Sequence, residues 1–440
     1  MGMDVSRERT RNYLHQIKGA VVYKAVAMVA SFLAIPLMIR YLGQEQFGVW
    51  STLLTLMSWI VFFDLGIGNG LRNKVAEALA KNDKAEAARY IASGYSLIGL
   101  LALVLWGLVA TVSFFIPWQV VFNTQAIPET TLRITVQIAA FFIVLNFWIG
   151  LIGAVLGAVQ KTSLIAFGQL ISNTLALALV FVLTKITIAS ISNLAFAYGF
   201  AMVIANLLLS IWFYQRHPEL RPKPYFDKQH VNPLLSVGVQ FFILQVAILI
   251  IFATDKILIT QIFGPLYVTQ YEVVFKLFSV ITFAHTLITA PLWSAYTDAY
   301  HRSDADWMRH MLRKQVMFFG AVVIAVFLMM ALAEPIIKFW IGGELDVSFP
   351  LVVAVGMFVL VSAWNNIYST FVNGIGRIKI HLYTAVVAMS LNIPLAILFT
   401  KYLGLGLSGI VFATCASLLI AAVILPIQVH LIIREVTSRR

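Results

Sequence analysis

Long apolar stretches alternate with short polar connections along almost the whole chain. A segment that crosses the hydrocarbon core of a bilayer as an α-helix needs about 20 mainly apolar residues. The sequence contains twelve such segments, and little of the chain is left for a soluble domain. They cover residues 17–40, 46–66, 91–116, 132–157, 162–183, 187–213, 234–262, 269–297, 315–340, 347–372, 379–400 and 406–432. The pattern predicts an all-α membrane protein with about twelve transmembrane helices.

The second half of the chain repeats the first at a nearly constant distance along the sequence. At an offset of 221 residues (264 − 43), a glycine meets a glycine and several charged residues meet residues of like charge. The matched pairs include Gly43 with Gly264, Glu77 with Asp298, Lys81 with Arg302 and Asp83 with Asp304. Six helices per half is an even number, so both halves enter the membrane in the same direction. This is the parallel repeat found in one group of secondary transporters.

A proline-rich connection separates the two halves. Residues 214–233 contain four prolines and charges of both signs, a composition that marks a loop between periodic segments. We therefore expect an N-terminal six-helix bundle over residues 1–213, a cytoplasmic linker over 214–233 and a C-terminal six-helix bundle over 234–440.

The positions of the basic residues along the chain show what its strongly basic composition indicates. The chain is 60% hydrophobic, has a mean hydropathy of +0.89 and carries a formal net charge of +12. Of its 31 lysines and arginines, 23 fall in or at the edges of one set of alternate loops and termini, five in or beside the opposite set, and three well inside predicted spans. Because cytoplasmic loops carry the excess of lysine and arginine, both termini are predicted to be cytoplasmic. The alternation fits a multi-pass membrane protein and argues against a nucleic-acid partner.

Residues 252–276 place four ionisable side chains inside two predicted spans and their connection: Asp255, Lys256, Glu272 and Lys276. Charges near the bilayer centre are costly, so such residues face a bundle interior or a wet cavity and mark a pathway. Gly264 and Pro265 break the chain between the two helices. In a hairpin joined there, Asp255 lies level with Lys276, and Glu272 pairs with Lys276 or Lys256. A purely structural ion pair is the alternative interpretation.

Two further ionisable residues lie inside predicted spans. Lys24, in the first span, either lines the cavity or extends its ammonium group to the interface. His285, in the eighth span, either takes part in proton coupling or packs as a neutral imidazole. The remaining histidines have no cysteine or carboxylate partners at metal-ligand spacing. We therefore predict no catalytic residues, no metal site and no cofactor, and a protein that is not an enzyme.

Four stretches carry a resemblance to a known family: YLGQEQFGVW at 41–50, DLGIGNGLRNKVAEALAKND at 64–83, TDKILI at 254–259 and AYTDAYHRSDADW at 295–307. With the helix number and the duplication, they resemble the O-antigen-type oligosaccharide-lipid flippases, polysaccharide biosynthesis proteins of the multidrug, oligosaccharidyl-lipid and polysaccharide exporter superfamily. The resemblance covers nearly the whole chain. It implies two helix bundles, alternating access and substrates linked to a lipid diphosphate. It transfers no catalytic residue to these positions.

Charge within the spans agrees with that family. Well inside the spans, Lys24, Lys256 and Lys276 outnumber Asp255 and Glu272, so the cavity suits an anionic headgroup such as a diphosphate. Asp64 and Glu334 lie at span ends and would reduce this surplus if they reached inward. We expect a flippase that moves a polyprenyl diphosphate-linked oligosaccharide from the cytoplasmic to the external leaflet of the bacterial inner membrane, for surface polysaccharide such as the O-antigen of lipopolysaccharide. The expected partners are this substrate, membrane lipids, a polysaccharide polymerase and chain-length proteins.

Two other functions are compatible with a chain of this kind. A drug/cation antiporter of the same superfamily would favour a cavity with surplus carboxylate. A membrane glycosyltransferase or polymerase would need a large external loop with acidic metal-binding or catalytic residues, and the predicted external loops are short.

Overall fold

The structure, a computed structural model, describes residues 2–61, 66–223, 225, 227, 230–231, 254–342 and 345–438. The described residues form helices, turns and connections and contain no strand. By length and composition, ten of these helical segments could cross a membrane. The second predicted span appears as a helix of 18 residues that is not among the ten, and most of the seventh, 234–262, lies outside the described residues. The predicted all-α membrane fold is confirmed.

The chain divides into two compact units, Met1–Gln245 and Val246–Arg440. The described part of the first unit contains nine α-helices, and a short 3₁₀ turn, Pro218–Leu220, follows them. The helices are α1 (Gly2–Leu42), α2 (Gln44–Val61), α3 (Ile67–Ala80), α4 (Lys84–Val112), α5 (Trp118–Val121), α6 (Glu129–Ile149), α7 (Ile152–Ala158), α8 (Thr162–Ile186) and α9 (Ile191–Arg216).

The second unit follows the same order of long helices. Its helices are α10, described over residues 254–263, then α11 (Pro265–Thr289), α12 (Leu292–His301), α13 (Ala305–Ile337), α14 (Phe349–Gly374), α15 (Lys379–Ile397) and α16 (Gly406–Ser438). Short π-helical segments, Lys338–Gly342 and Leu398–Tyr402, extend α13 and α15.

An amphipathic helix anchors the core of the first unit. Ile67, Leu71 and Val75 of α3 recur every four residues and are completely buried, as expected for one face of a helix. They pack with buried residues of α4, α7 and α9. Leu220 of the segment after α9 belongs to the same cluster. The beginning of the predicted linker therefore packs on the first unit.

The corresponding core of the second unit combines aromatic with aliphatic side chains. Tyr296 of α12 and Phe371 of α14 are completely buried, with ring centroids 4.7 Å apart. Leu425 and Val429 of α16 complete this cluster. Such a tilted aromatic contact adds to the stabilisation from burial.

The two units cap equivalent helices in the same way. The Asp83 carboxylate accepts a hydrogen bond from the backbone N–H of Glu86 at 2.8 Å, at the start of α4. The Asp304 carboxylate accepts one from the backbone N–H of Trp307 at 3.1 Å, at the start of α13. The residue before each cap is left-handed, with φ of 59° and 55°. Both are aspartate N-caps that satisfy an orphan donor.

The same turn carries an equivalent ion pair in each unit. Lys81 lies 2.8 Å from Glu77, and Arg302 lies 3.0 Å from Asp298. Hydrogen bonds from Lys81 and Lys74 lower the pKa of Glu77 to about 2. The repeat at 221 residues is thus a repeat of local structure as well as of sequence.

Candidate functional site

A helical hairpin in the second unit carries the four ionisable residues singled out in the sequence. Helix α10 ends at residue 263, and α11 begins at Pro265. Gly264 between them has a φ of 96°, a conformation that glycine adopts without the steric cost of a side chain. Proline suits the first helical position because its missing N–H would have no intrahelical partner there. The predicted break at Gly264 and Pro265 is confirmed.

Asp255 of α10 is buried and takes its hydrogen bonds from neutral side chains. The Thr414 hydroxyl of α16 lies 3.0 and 3.2 Å from the two carboxylate oxygens. The Tyr271 hydroxyl of α11 lies 3.5 Å from one of them. Asp255 is 3% exposed, and Thr414 is completely buried. The carboxylate therefore joins three helices of one bundle.

A short chain of side chains leads to this carboxylate. The Thr254 hydroxyl lies 3.3 Å from the amide oxygen of Asn392 on α15, to which it donates. The Asn392 amide nitrogen donates to the Thr414 oxygen at 2.9 Å. Because the Thr414 hydroxyl accepts from Asn392, its own proton can be donated to Asp255. Carboxylate, hydroxyl and amide oxygens are groups that can hold a proton or a hard cation.

The other three charges lie together on a half-buried face of the same hairpin. Lys256 of α10 forms an ion pair with Glu272 of α11, with side chains 21% and 24% exposed. Lys276 is one turn beyond Glu272 on α11, at the i,i+4 spacing that places both on one face, and it is also half-buried. Two lysines and one glutamate give this face, which we call the Lys-Glu-Lys face, a net charge of +1.

The predicted ion pair between Asp255 and Lys276 is wrong. The Asp255 carboxylate takes its hydrogen bonds from Thr414 and Tyr271 instead. The reason is the register of the hairpin. In an antiparallel hairpin, residues that lie opposite each other have residue numbers with a common sum. The prediction used a sum of 531, which pairs Asp255 with Lys276. The observed partners, Asp255 with Tyr271 and Lys256 with Glu272, have sums of 526 and 528. The two helices meet closer to Gly264, which shifts the contacts by about one turn.

The two remaining candidate residues lie elsewhere in the sequence. Lys24 belongs to α1 in the first unit and is exposed. His285 of α11 is 14 residues beyond Tyr271, about 21 Å along the helix at 1.5 Å per residue. Its ring is buried and stacks on Phe318 of α13, with centroids 6.1 Å apart. Its Nε2 has no hydrogen-bond partner among the described residues.

Several amide side chains elsewhere in the spans have packing roles. The Asn206 amide donates to Asn146 at 2.7 Å, and Asn173 donates to a backbone carbonyl of α1 at 2.9 Å. Asn365 donates to a backbone carbonyl of α16 at 3.1 Å. Amides of this kind bind neighbouring membrane helices together. Asn392 differs because its partners lead to Asp255.

A family model described as "Polysaccharide biosynthesis protein" matches residues 18–292. The chain is 22% identical over 378 residues to a "Putative O-antigen export protein" of Yersinia pseudotuberculosis, covering 81% of this chain and 82% of that one. It is 21% identical over 359 residues to a "Putative O-antigen transporter" of Salmonella typhimurium, covering 79% and 80%.

Solved structures of similar fold are transporters of the MOP superfamily. One is a multidrug resistance MATE family transporter in an inward-facing conformation, with a TM-score of 0.78, 15% identity and coverage of 95% of this chain and 99% of that one. Another is a MOP superfamily transporter from Pyrococcus furiosus with a binding pocket of reverse polarity, at a TM-score of 0.68, 14% identity and 96% coverage of both chains. These likenesses establish a transporter fold.

Proposed function

The chain belongs to the polysaccharide biosynthesis protein family, and from this premise we propose that it is a flippase for a lipid-linked oligosaccharide. It moves an oligosaccharide carried on polyprenyl diphosphate from the cytoplasmic to the external leaflet by alternating access, for surface polysaccharide biosynthesis. It has no enzymatic step. The names of its relatives, which concern O-antigen export and transport, support this substrate class.

The observation that carries the proposal is the separation of charge in the second unit. Asp255 is buried and takes its hydrogen bonds from hydroxyl groups, whereas the three charged side chains of the Lys-Glu-Lys face lie together and sum to +1. Its side chains are partly exposed, with 21% of Lys256 and 24% of Glu272 accessible. A diphosphate is the part of the substrate that a lysine ammonium would bind. We assign Lys256, Glu272 and Lys276 to headgroup binding, with Lys24 as a further cation in the first unit.

The Asp255 network supplies a contact that can change during transport. It joins α10 and α11 to α15 and α16 through side-chain hydrogen bonds. A carboxylate that gained a proton or bound a cation would alter those bonds. We propose that Asp255 acts in translocation by this means, and that the unpartnered Nε2 of His285 is a second site of proton exchange.

The loop charges support an orientation with both termini in the cytoplasm of a bacterium and the protein in its inner membrane. The 23-to-5 distribution of lysine and arginine between the two sets of loops is the basis for this assignment. A polysaccharide polymerase and chain-length proteins would act on the translocated product.

A drug/cation antiporter is the second candidate, and its support is the fold of the inward-facing multidrug transporter. Its cationic substrates would require accessible carboxylate. In the described second unit the buried acid is Asp255, and Glu272 is already paired with Lys256. The distribution of charge therefore favours the anionic substrate.

The experiment that tests the proposal is deletion of the gene in its native host, followed by complementation. We expect lipid-linked oligosaccharide to accumulate on the cytoplasmic face and surface polysaccharide to disappear, and the wild-type gene to restore both. Normal surface glycan together with raised sensitivity to cationic dyes would select the antiporter instead.

A further inference from the structure

A basic pocket of about 620 Å³ lies in the second unit, between the first turns of α13 and the last turns of α16. Arg309 and Arg313 of α13 line it from one side, and His430 and Arg434 of α16 line it from the other. Tyr368 of α14 also contributes to its wall. The proposed orientation places this pocket at the cytoplasmic boundary of the bilayer.

Part of the positive charge in this pocket is not neutralised by the protein. Arg309 lies 3.2 Å from the Asp306 carboxylate, but Arg313 and Arg434 are exposed and have no carboxylate partner within 4 Å among the described side chains. Glu435, next to Arg434 in the chain, is held by two short hydrogen bonds from Arg377, at 2.6 and 2.9 Å. Two guanidinium groups therefore remain for an anionic ligand.

Apolar side chains continue from the pocket along the same helices. Met317 lies one turn beyond Arg313 and is 70% exposed, and Ile324 farther along α13 is also 70% exposed. On α16, Leu431 and Ile427 are more than half exposed. The ligand that fits this surface has phosphate at one end and hydrocarbon at the other, because guanidinium groups bind phosphate through paired hydrogen bonds.

The internal repeat shows that the equivalent groove in the first unit is filled by the chain itself. Subtracting 221 from 313 and 317 gives Ala92 and Ser96 of α4. The Ser96 hydroxyl donates to the backbone carbonyl of Tyr225 at 3.0 Å. His230 lies 3.2 Å from Glu86, and the turn Pro218–Leu220 contacts α4. The segment after α9 thus covers this groove in the first unit.

The second unit differs at those same places. Arg313 stands where the first unit has Ala92, and both Arg313 and Met317 are exposed. The groove is therefore open among the described residues and basic, where its counterpart is covered and contains no arginine at the matching position. In the first unit the chain itself fills this groove. In the second unit the groove is basic and is suited to a separate, anionic ligand.

We propose that this pocket binds the phosphate headgroup of an anionic phospholipid of the cytoplasmic leaflet, with the acyl chains lying along α13 and α16. Basic pockets between membrane helices on the cytoplasmic side are a known means of holding cardiolipin headgroups. The site is made by α13, α14 and α16 and is distinct from the hairpin proposed to bind substrate. The proposal goes beyond the transport function and is the same for either substrate class.

The test uses the full-length protein, purified and delipidated in detergent, with cardiolipin titrated and bound lipid measured by native mass spectrometry. We expect the double variant Arg313→Gln with Arg434→Gln to bind cardiolipin about 30-fold more weakly, and Arg313→Gln alone about fivefold more weakly, from the typical contribution of a basic residue near an anionic lipid surface. Lys314→Gln is the matched control, because Lys314 is exposed beside Arg313 and does not line the pocket.

Three results are decisive for this proposal. Retained cardiolipin binding in the double variant would overturn it, as would equal binding of phosphatidylcholine by the wild type. Displacement of cardiolipin by undecaprenyl diphosphate would also overturn it and would assign the pocket to the substrate path. If the double variant is not folded by circular dichroism, the comparison of Arg313→Gln with Lys314→Gln decides the matter. None of these measurements depends on transport.

Discussion

The hydroxyl of Thr414 on α16 lies 3.0 Å from the carboxylate of Asp255 on α10, across 159 positions of sequence. Both side chains are buried. A carboxylate inside a membrane protein needs partners because burying it without them is costly. Here the partners are hydroxyl groups rather than a lysine, so Asp255 can change its bonds without separating an ion pair.

We predict that Thr414→Val destabilises the protein by about 1–3 kcal/mol, because it leaves a buried carboxylate without its principal donor. Thermal unfolding in detergent measures the change. Thr414→Ser keeps the hydroxyl and is the control, with stability expected near that of the wild type. Equal melting temperatures for the valine and serine variants would show that the hydrogen bond contributes nothing to stability.

The sequence predicted the hairpin but not this network. The residue types of Gly264 and Pro265 are enough to predict the break between the two helices. Asp255 can be recognised from the sequence because charged residues are rare within membrane spans. Thr414 gives no such signal, because hydroxyls in apolar helices commonly bond to their own backbone four residues earlier. Thr400 does so in this protein, at 2.6 Å from the carbonyl of Ala396. Only the packing of α16 against α10 distinguishes Thr414.

The prediction of which charges pair depended on the alignment of α10 against α11. Sequence spacing determines that alignment only to within about one helical turn. A shift of one helical turn exchanges Lys276 for Tyr271 as the neighbour of Asp255. The repeat, in contrast, was predictable because it rests on many positions at a single offset. Asp83 and Asp304 are equivalent caps for this reason.

Those two caps give a prediction about the repeat. Asp83→Ala and Asp304→Ala should each destabilise the protein by about 1 kcal/mol, the usual cost of removing an aspartate N-cap. Thermal unfolding of each variant measures this cost. Asp306→Ala is the control, because Asp306 lies in the first turn of α13 and pairs with Arg309 without capping the helix. A cost for one cap only would mean that the two turns are not energetically equivalent.

The proposed orientation predicts which loops an impermeant thiol reagent can reach in whole cells. Cysteines at Lys81 and Lys223 should be shielded, and cysteines at Gln125 and Lys401 should react, since all four positions are exposed. The native Cys415 is buried and should give little background. The opposite labelling pattern would reverse the proposed direction of transport.

Proton exchange at His285 is tested by a change that keeps its packing. His285→Phe retains an aromatic ring against Phe318 and removes both ring nitrogens. We expect this variant to be produced at the wild-type level but to lose the dependence of transport on external pH. The measurement is transport by proteoliposomes over a range of pH gradients. An unchanged pH dependence would leave His285 with a packing role only.

Charge-exchange variants of the Lys-Glu-Lys face distinguish the Lys256–Glu272 ion pair from substrate binding. Because Lys256 and Glu272 pair across the hairpin, either Lys256→Glu or Glu272→Lys alone places like charges together and should lower both protein level and transport. The exchange of both should restore the pair and the protein level. Membrane abundance and proteoliposome transport measure the two effects separately.

Lys276 is the second lysine of the Lys-Glu-Lys face and gives that face its net positive charge, so we expect it to contribute to phosphate binding. A charge-assisted hydrogen bond to a phosphate contributes about 1.5–3 kcal/mol, so Lys276→Gln should raise the substrate concentration for half-maximal transport by roughly tenfold or more. Protein level should be unchanged, and Lys276→Arg should retain most of the affinity because it keeps the charge. If Lys276→Gln transports a lipid-linked oligosaccharide with wild-type affinity while the exchange at Lys256 and Glu272 abolishes it, the headgroup contacts the ion pair itself and the cation at Lys276 plays no part in recognition.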